Sequence, residues 1–291
     1  MKTTELPSTR APLYGDSLSA KRFQILHCHK KFEPKAVQRL LRTESVALVC
    51  HNYLSDAEAE GLTYGFRKVV SRDRADGVPA RTCHASHYKL TTHEYLDAVE
   101  GTRHEMTAIY DIAQIDLDRK TNTDLSYALA PYGQCVRAAQ HGNRSAGLLR
   151  GAAWTGGASS AFGLDAHDDA AQASQACIAQ RGFEIQNGGA PVAINVYAAA
   201  PPNGGALRVW NLRVATECKA ALGIAATGYP YRSEDLDPYG YIDIEVRKGT
   251  AVLLAGSFAH GVRGWDGDPM ARIVFNGFLC LLPDGSVVRW T

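Results

Sequence analysis

The sequence predicts an α+β protein, with a C-terminal β core of sandwich, barrel or jelly-roll type buttressed by N-terminal helices. Three observations carry this. Apolar residues recur at helical spacing across roughly residues 33–140. From residue 192 onward they alternate with polar ones in short runs. Gly and Pro clusters punctuate those runs: Asn187-Gly188-Gly189, Pro201-Pro202-Asn203-Gly204-Gly205 and Asp266-Gly267-Asp268-Pro269.

Taken in order, Ser55-Asp56-Ala57-Glu58 reads as a helix N-cap followed by an acidic first turn. Leu62, Phe66, Val69 and Val70 continue it at helical spacing. Tyr95, Val99, Met106, Ile109, Tyr110 and Ile112 predict a further helix, or a pair broken near Gly101. Another is expected from about Asp124 to Ala139, broken or bent at Pro131. The strands follow. Val192, Ile194 and Val196 alternate with Asn195 and Tyr197. Residues 206–210 alternate likewise, and Ile242, Ile244 and Val246 share a face. Ala251-Val-Leu-Leu254 is uniformly apolar, as in a strand buried on both faces, and Arg272-Ile-Val-Phe-Asn-Gly-Phe-Leu279 reads as the last core strand.

Composition is that of a globular chain. Of 291 residues, 45% are hydrophobic and 21% charged, enough for a sizeable core without staples. Lys and Arg total 31 against 30 Asp and Glu, so no overall field draws the protein to nucleic acid or an anionic membrane. No apolar run approaches the length of a membrane span, and the polar start has no signal-peptide stretch, so a cytoplasmic location is expected. The seven cysteines are odd in number, widely spaced and without a CxxC pair, which fits small buried hydrophobes rather than disulfides or a zinc knuckle. No linker divides the chain. One domain over 1–291 is expected, with 1–145 mainly helical support and 146–291 the core. Nothing in the sequence sets an oligomeric state.

Most of the ten histidines carry no signal. His27 and His29 flank Cys28, but no nearby sequence completes a metal site, and surface histidines are the simpler reading. His93-Glu94 begins like a zinc-protease motif, yet Asp97 stands where its second His belongs. His167-Asp168-Asp169 differs because it closes an extended stretch. Residues two apart on a strand share a face, so His167 and Asp169 can reach one point. His260 follows the buried run 249–256. Two histidines and a carboxylate on a β scaffold match the facial triad of non-heme Fe(II) sites, which leaves positions open for cosubstrate and oxygen. On its own, the pair reads more simply as a polar loop, with His260 a satisfied core histidine. Arg272 adds weight, since an arginine opening a buried strand is costly unless paired, and a dicarboxylate would pair it bidentately. The turn around Trp265-Asp-Gly-Asp-Pro269 is expected to fold the Arg272 strand back beside the His260 strand.

In this ordered set the second half resembles the 2-oxoglutarate/Fe(II)-dependent dioxygenase superfamily, in its prolyl-hydroxylase-like branch related to amino-acid hydroxylases and halogenases. The residues that carry the resemblance are His167-Asp-Asp169, Asn195-Val-Tyr197, Gly204-Gly-Ala-Leu-Arg-Val-Trp210, His260-Gly-Val and Arg272-Ile-Val-Phe, over about residues 146–282. The twelve-residue step from His260 to Arg272 is slightly longer than the family's, and Arg263 is the alternative anchor. The resemblance implies a double-stranded β-helix with Fe(II) held by His167, Asp169 and His260 as the catalytic centre. It implies 2-oxoglutarate anchored by Arg272, and O2 as the oxidant. In the halogenating relatives a Gly or Ala replaces the carboxylate, so Asp169 favours hydroxylation, with desaturation or ring closure as alternatives.

By strand alternation, Arg272, Val274, Asn276 and Phe278 share a face, so Asn276 is expected inward with a substrate or a backbone group as its partner. Asn195 and Tyr197 are expected to face the cosubstrate, with ordinary aromatic packing the alternative for Tyr197. Residues 71–92, with Arg74, Arg81, His84, His87 and Lys89, and residues 228–241, with Tyr229, Tyr231 and Arg232, are candidate lids. The expected activity is C–H hydroxylation of a small molecule such as a free amino acid or natural-product intermediate, with neither nucleic acid nor membrane as partner. A hydroxylase of protein or carrier-bound side chains and a non-catalytic cupin-like binding module are the competing readings.

Overall fold

The computed structural model describes residues 12–70, 80–154, 161–174, 182–268 and 270–291. Its architecture is α+β. A nine-stranded sheet runs, edge to centre and out again, through Ile25–His29, Ala47–His51, Ala251–Ala255, Val192–Ala199, Ile273–Leu281, Val287–Trp290 and Val136–Ala138. The long Ile273–Leu281 strand shares one edge between two partners. Arg150–Trp154 pairs with its first half and Val287–Trp290 with its second, and Ala80–Cys83 extends the sheet beyond Arg150–Trp154. A four-stranded sheet has the order Tyr241–Ile244, Leu207–Trp210, His260–Arg263, Phe162–His167.

Alternation along the central strands decides what each face meets. Phe275 points away from the smaller sheet, into the helices, where its ring lies 6.2 Å from Phe66 and 6.5 Å from Tyr110. Val274, Asn276 and Phe278 point the other way, into a cavity whose far wall is the smaller sheet. The shared face expected for these three residues is therefore the one observed.

The helices form where caps and apolar stripes agree. Asp56–Val69 opens on the capping box of Ser55 and Glu58. Thr92–Ala113 opens on a second such box, Thr91 with Glu94. The two pack closely because Gly61 and Gly65 carry no side chain; a Cβ on Gly65 would stand 2.8 Å from the Ile109 carbonyl oxygen.

Four expectations need correction. Thr92–Ala113 is one unbroken helix, since an interior glycine costs only about 1 kcal/mol and the buried stripe Tyr95, Val99, Met106, Ile109 runs past Gly101. The next helix is Leu117–Leu129, capped by Asp116 and passing at Pro131 into a short 3-10 turn, and residues 136–138 are strand. The N-terminal half is more than a helical buttress, because Ile25–His29, Ala47–His51, Ala80–Cys83 and Val136–Ala138 all join the large sheet. Finally, the Arg272 strand does not fold back beside the His260 strand. His260–Arg263 pairs with Leu207–Trp210 and Phe162–His167, whereas Ile273–Leu281 belongs to the opposite sheet. The connection around Trp265 crosses between sheets, so Arg272 approaches His260 across the cavity rather than along a ladder. Pro269 lies outside the described residues, as do Arg74 and Cys177.

Candidate active site

Between the two sheets lies a cavity that opens to solvent. His167, Asp169 and His260 line it together with Arg272, Asn195, Tyr197 and Asn276. All seven residues singled out from sequence thus meet in one place.

His167 closes the strand Phe162–His167 and His260 opens the strand His260–Arg263, and the two are register partners in an antiparallel pair. Their ring centroids are 4.3 Å apart. Asp169 arrives differently from the expected strand alternation. It has left the strand and caps the short helix Ala170–Ala173 in a right-handed helical backbone conformation. Its amide N–H donates to the Gly256 carbonyl at 2.7 Å, which fixes the turn that swings its carboxylate inward. Asp169 Oδ1 then lies 4.0 Å from His167 Nε2, and Oδ2 lies 3.4 Å from His260 Nε2. The donor atoms of these three buried residues all fall within 4.8 Å of one another.

The hydrogen bonds behind the triad orient it. His167 Nδ1 stands 2.8 Å from the Asp165 carbonyl oxygen, and His260 Nδ1 stands 2.8 Å from that of Phe258. Each Nδ1 is therefore the donor, and each Nε2 lone pair faces Asp169. Burial lowers the imidazole of His167 to about 4, with His260 beside it adding to the effect, and burial lowers His260 too. Both rings are neutral, the form that binds a metal. Burial also pushes the Asp169 carboxyl up to about 7, and its Oδ2 is buried without a hydrogen-bond partner. Two neutral imidazoles and an orphaned carboxylate oxygen aimed at one point are the donor set of a facial metal site.

Arg272 is 2% exposed. Its Nη2 donates to the Tyr197 hydroxyl at 3.1 Å, its guanidinium lies 5.0 Å from the Tyr197 ring centroid, and its Nε is buried without a partner. Arg263 is elsewhere, stacked over Phe162 at 5.2 Å. Asn195 and Asn276 are register partners on adjacent strands, and Asn276 Oδ1 is buried without a donor among the described residues.

Of the two expected lids, the cavity receives Ser86, Tyr88 and Tyr229. The two histidines of the first lid have partners elsewhere. Buried His87 faces the Thr291 main-chain oxygen at 3.0 Å, and His84 Nδ1 is 2.9 Å from the Thr102 hydroxyl. Tyr231 donates to Asp168 at 2.5 Å. His27 and His29 do have company that the sequence hid. His51, on the parallel neighbour strand, places Nε2 3.0 Å from His27 Nδ1. Even so, the only group of three His, Cys, Asp or Glu residues with donors drawn together among the described residues is His167, Asp169 and His260. Sequence reasoning missed Arg150, Trp154, Leu164 and Gln172 on the cavity wall. Arg150 alone carried a signal, as an arginine opening the apolar strand Arg150–Trp154.

No family model matches the chain. An L-isoleucine 3(1)-dioxygenase from Pantoea ananatis is 33% identical over 125 residues, which are 43% of this chain and 41% of that protein. The chain thus aligns with less than half the length of that relative. Among solved structures, an N-substituted L-amino acid dioxygenase from Burkholderia ambifaria superposes with a TM-score of 0.50 at 14% identity, covering 89% of this chain and 91% of that one. The same dioxygenase in complex with alpha-KG gives 0.48 at 15% identity, covering 88% and 90%. The chain resembles the 2-oxoglutarate/Fe(II)-dependent dioxygenase superfamily in sequence over its matched part, and it has the fold of a dioxygenase along most of its length. Among the described residues no helix is long and apolar enough to cross a membrane.

Proposed function

We propose that the protein is a 2-oxoglutarate- and Fe(II)-dependent oxygenase that hydroxylates an unactivated C–H bond of a small molecule, a free amino acid or a natural-product intermediate. One observation carries the reading: the buried triad of His167, Asp169 and His260 shares a cavity with a buried arginine on the opposite wall. The two sheets on either side of that cavity support a double-stranded β-helix, and strands from both halves in one sheet support a single domain over 1–291. A concave cavity between two sheets favours a small substrate over a macromolecule.

The residues present fit the implied groups. Oxygen and nitrogen donors without thiolate suit Fe(II), and the orphaned Asp169 Oδ2 is the atom a cation would satisfy. The unpartnered Nε of Arg272 suits the distal carboxylate of 2-oxoglutarate, with Tyr197 holding the guanidinium in place and Asn195 on the wall of the same cavity. Fe(II), 2-oxoglutarate and O2, when bound, supply the oxidising chemistry, and 2-oxoglutarate leaves as succinate and carbon dioxide. The chain's own work is orientation. The Asp165 and Phe258 carbonyls aim the two imidazoles, and the Gly256 carbonyl sets the Asp169 turn. Asp169 would hold the metal position that a Gly or Ala would leave to chloride, so hydroxylation is the favoured outcome. Asn276 faces the substrate. The six unpaired cysteines among the described residues support work in the reducing cytoplasm.

The test is anaerobic mixing with Fe(II) and 2-oxoglutarate, followed by a screen of free amino acids for stimulated succinate formation. An absorption band toward the red end of the visible spectrum, lost in His260→Ala, is expected. A product heavier by one oxygen atom from labelled O2 marks a hydroxylase, and a loss of two hydrogens marks a desaturase or cyclase. A binding module would give neither band nor succinate.

A further inference from the structure

We infer that Arg150 and Asn276 form the seat for the head group of an α-amino acid, Arg150 taking the carboxylate and Asn276 Oδ1 accepting from the ammonium. The inference rests on reading the cavity as an oxygenase site and names its substrate class.

The cavity holds two arginines, and the cosubstrate needs one. Arg272 stands just before the strand Ile273–Leu281, and Arg150 is the cross-strand partner of Asn276, four residues further along. Four residues of strand separate their backbones by about 13 Å, so the two arginines enter the cavity from different stretches of its wall. Arg150 is 8% exposed and lines the cavity. A guanidinium has five N–H donors in a planar fork, so it can grip a carboxylate while keeping other partners. A second buried cation on the wall of a small cavity is a site for a second anion.

Asn276 supplies the opposite polarity next to it. Directly cross-strand residues have Cβ atoms about 5 Å apart, so the Asn276 amide and the Arg150 fork start from neighbouring points on one face. Asn276 Oδ1 is a buried acceptor without a donor among the described residues, a state that costs free energy until a donor arrives. A donor fork beside an orphaned acceptor is the mirror image of an α-amino acid, whose carboxylate accepts and whose ammonium donates from the same carbon. Across the cavity, Leu164 and Val262 pair on the smaller sheet next to His167 and His260. A head group held at Arg150 and Asn276 would direct its side chain toward that apolar pair and the metal ligands. An aliphatic side chain fits such a wall.

The experiment uses the full chain loaded anaerobically with Fe(II) and 2-oxoglutarate, and reads substrate binding as a shift of the absorption band, independent of turnover. The probes are the free proteinogenic L-amino acids, then the carboxamide and the N-acetyl derivative of the best binder. At least one aliphatic amino acid should shift the band, with both derivatives at least tenfold weaker. Arg150→Gln should weaken the amino acid about a hundredfold and 2-oxoglutarate less than threefold, with Arg150→Lys intermediate. Asn276→Ala should weaken the amino acid but leave the affinity of its deamino analogue unchanged. Wild-type amino-acid affinity in both Arg150 variants overturns the inference. So does loss of 2-oxoglutarate rather than amino acid in Arg150→Gln, or a band that no amino acid shifts. Absence of any band in the wild-type protein instead refutes the oxygenase reading beneath it.

Discussion

His87 is a residue whose charge the fold forbids. Its Nδ1 faces the Thr291 main-chain oxygen, its Nε2 has no partner, and the rings of Tyr95, Phe278 and Trp290 enclose it. Burial lowers its imidazole from the ordinary 6.5 to about 4. Below 6.5 the unfolded chain takes up a proton that the folded chain refuses. Stability is therefore complete above pH 6.5 and falls as pH drops from 6.5 toward 4, by about 1.4 kcal/mol for each unit of displacement. His84, also lowered by burial to about 4, acts in the same direction. Denaturant unfolding of His87→Asn, whose amide can still donate to Thr291, should show a shallower pH dependence than the wild type across that window. Equal slopes would mean that His87 is not the proton-linked group. Arg272 is the other residue with a single decisive neighbourhood. Removing one partner of a buried ion pair costs about 3–5 kcal/mol. Arg272→Ala should accordingly raise the 2-oxoglutarate concentration needed for half-saturation by orders of magnitude, while Arg263→Ala, stacked on Phe162, leaves it unchanged. The reverse pattern would move the anchor to Arg263. Both arginines were visible in the sequence, but the choice between them depends on which one faces the cavity.

Among the elements, the ones read well from sequence were those with local signals. The Ser55 capping box, the alternation in 192–197 and the apolar run 251–254 all became the elements expected. Local rules failed where two elements meet. Gly101 and Pro131 both looked like breaks, yet only Pro131 ended a helix, because its ring removes a hydrogen bond that glycine keeps. The turn from the strand Ala251–Ala255 into the strand His260–Arg263 shows how an element shapes the site without supplying a ligand. A Cβ on Gly256 would lie 2.5 Å from Asp169 Oδ2 and 3.0 Å from Asp169 Cβ. Gly256→Ala must therefore push the Asp169 carboxylate off its position. We expect at least a tenfold loss of metal affinity with a melting temperature lowered by only a few degrees, measured by metal titration alongside thermal unfolding. Wild-type metal affinity would show that the carboxylate has slack the packing does not suggest.

At the scale of the whole molecule, a buried charged cluster ties the turn at Asp169 to the segment that carries the 228–231 stretch. Asp168 is fully buried and accepts from Lys219 Nζ at 2.9 Å, from the Tyr231 hydroxyl at 2.5 Å and from the Ala171 amide at 2.9 Å. Lys219 belongs to the helix Thr216–Ala221, far along the chain. Lys219→Met would leave Asp168 buried without its cation, and about 3–5 kcal/mol of stability should go with it. Because Asp168 adjoins Asp169, metal affinity should fall in parallel; a stability loss with unchanged metal binding would uncouple the cluster from the site. The same long-range character separates what the sequence determined from what the tertiary structure decided. The sequence by itself singled out His167, Asp169 and His260 as candidate ligands, and it determined the common inward face of Val274, Asn276 and Phe278, because strand geometry repeats every two residues whatever the surroundings. It also made the α+β class legible, since caps, alternation and turn residues act over a few positions. The tertiary structure decided that Arg272 meets the triad across two sheets and not along one ladder. It also turned Asp169 inward from a helix cap, and it set Arg150 opposite Asn276. Those placements join segments many residues apart, whose pairing depends on which surfaces bury best together, and no local spacing in the chain encodes that choice.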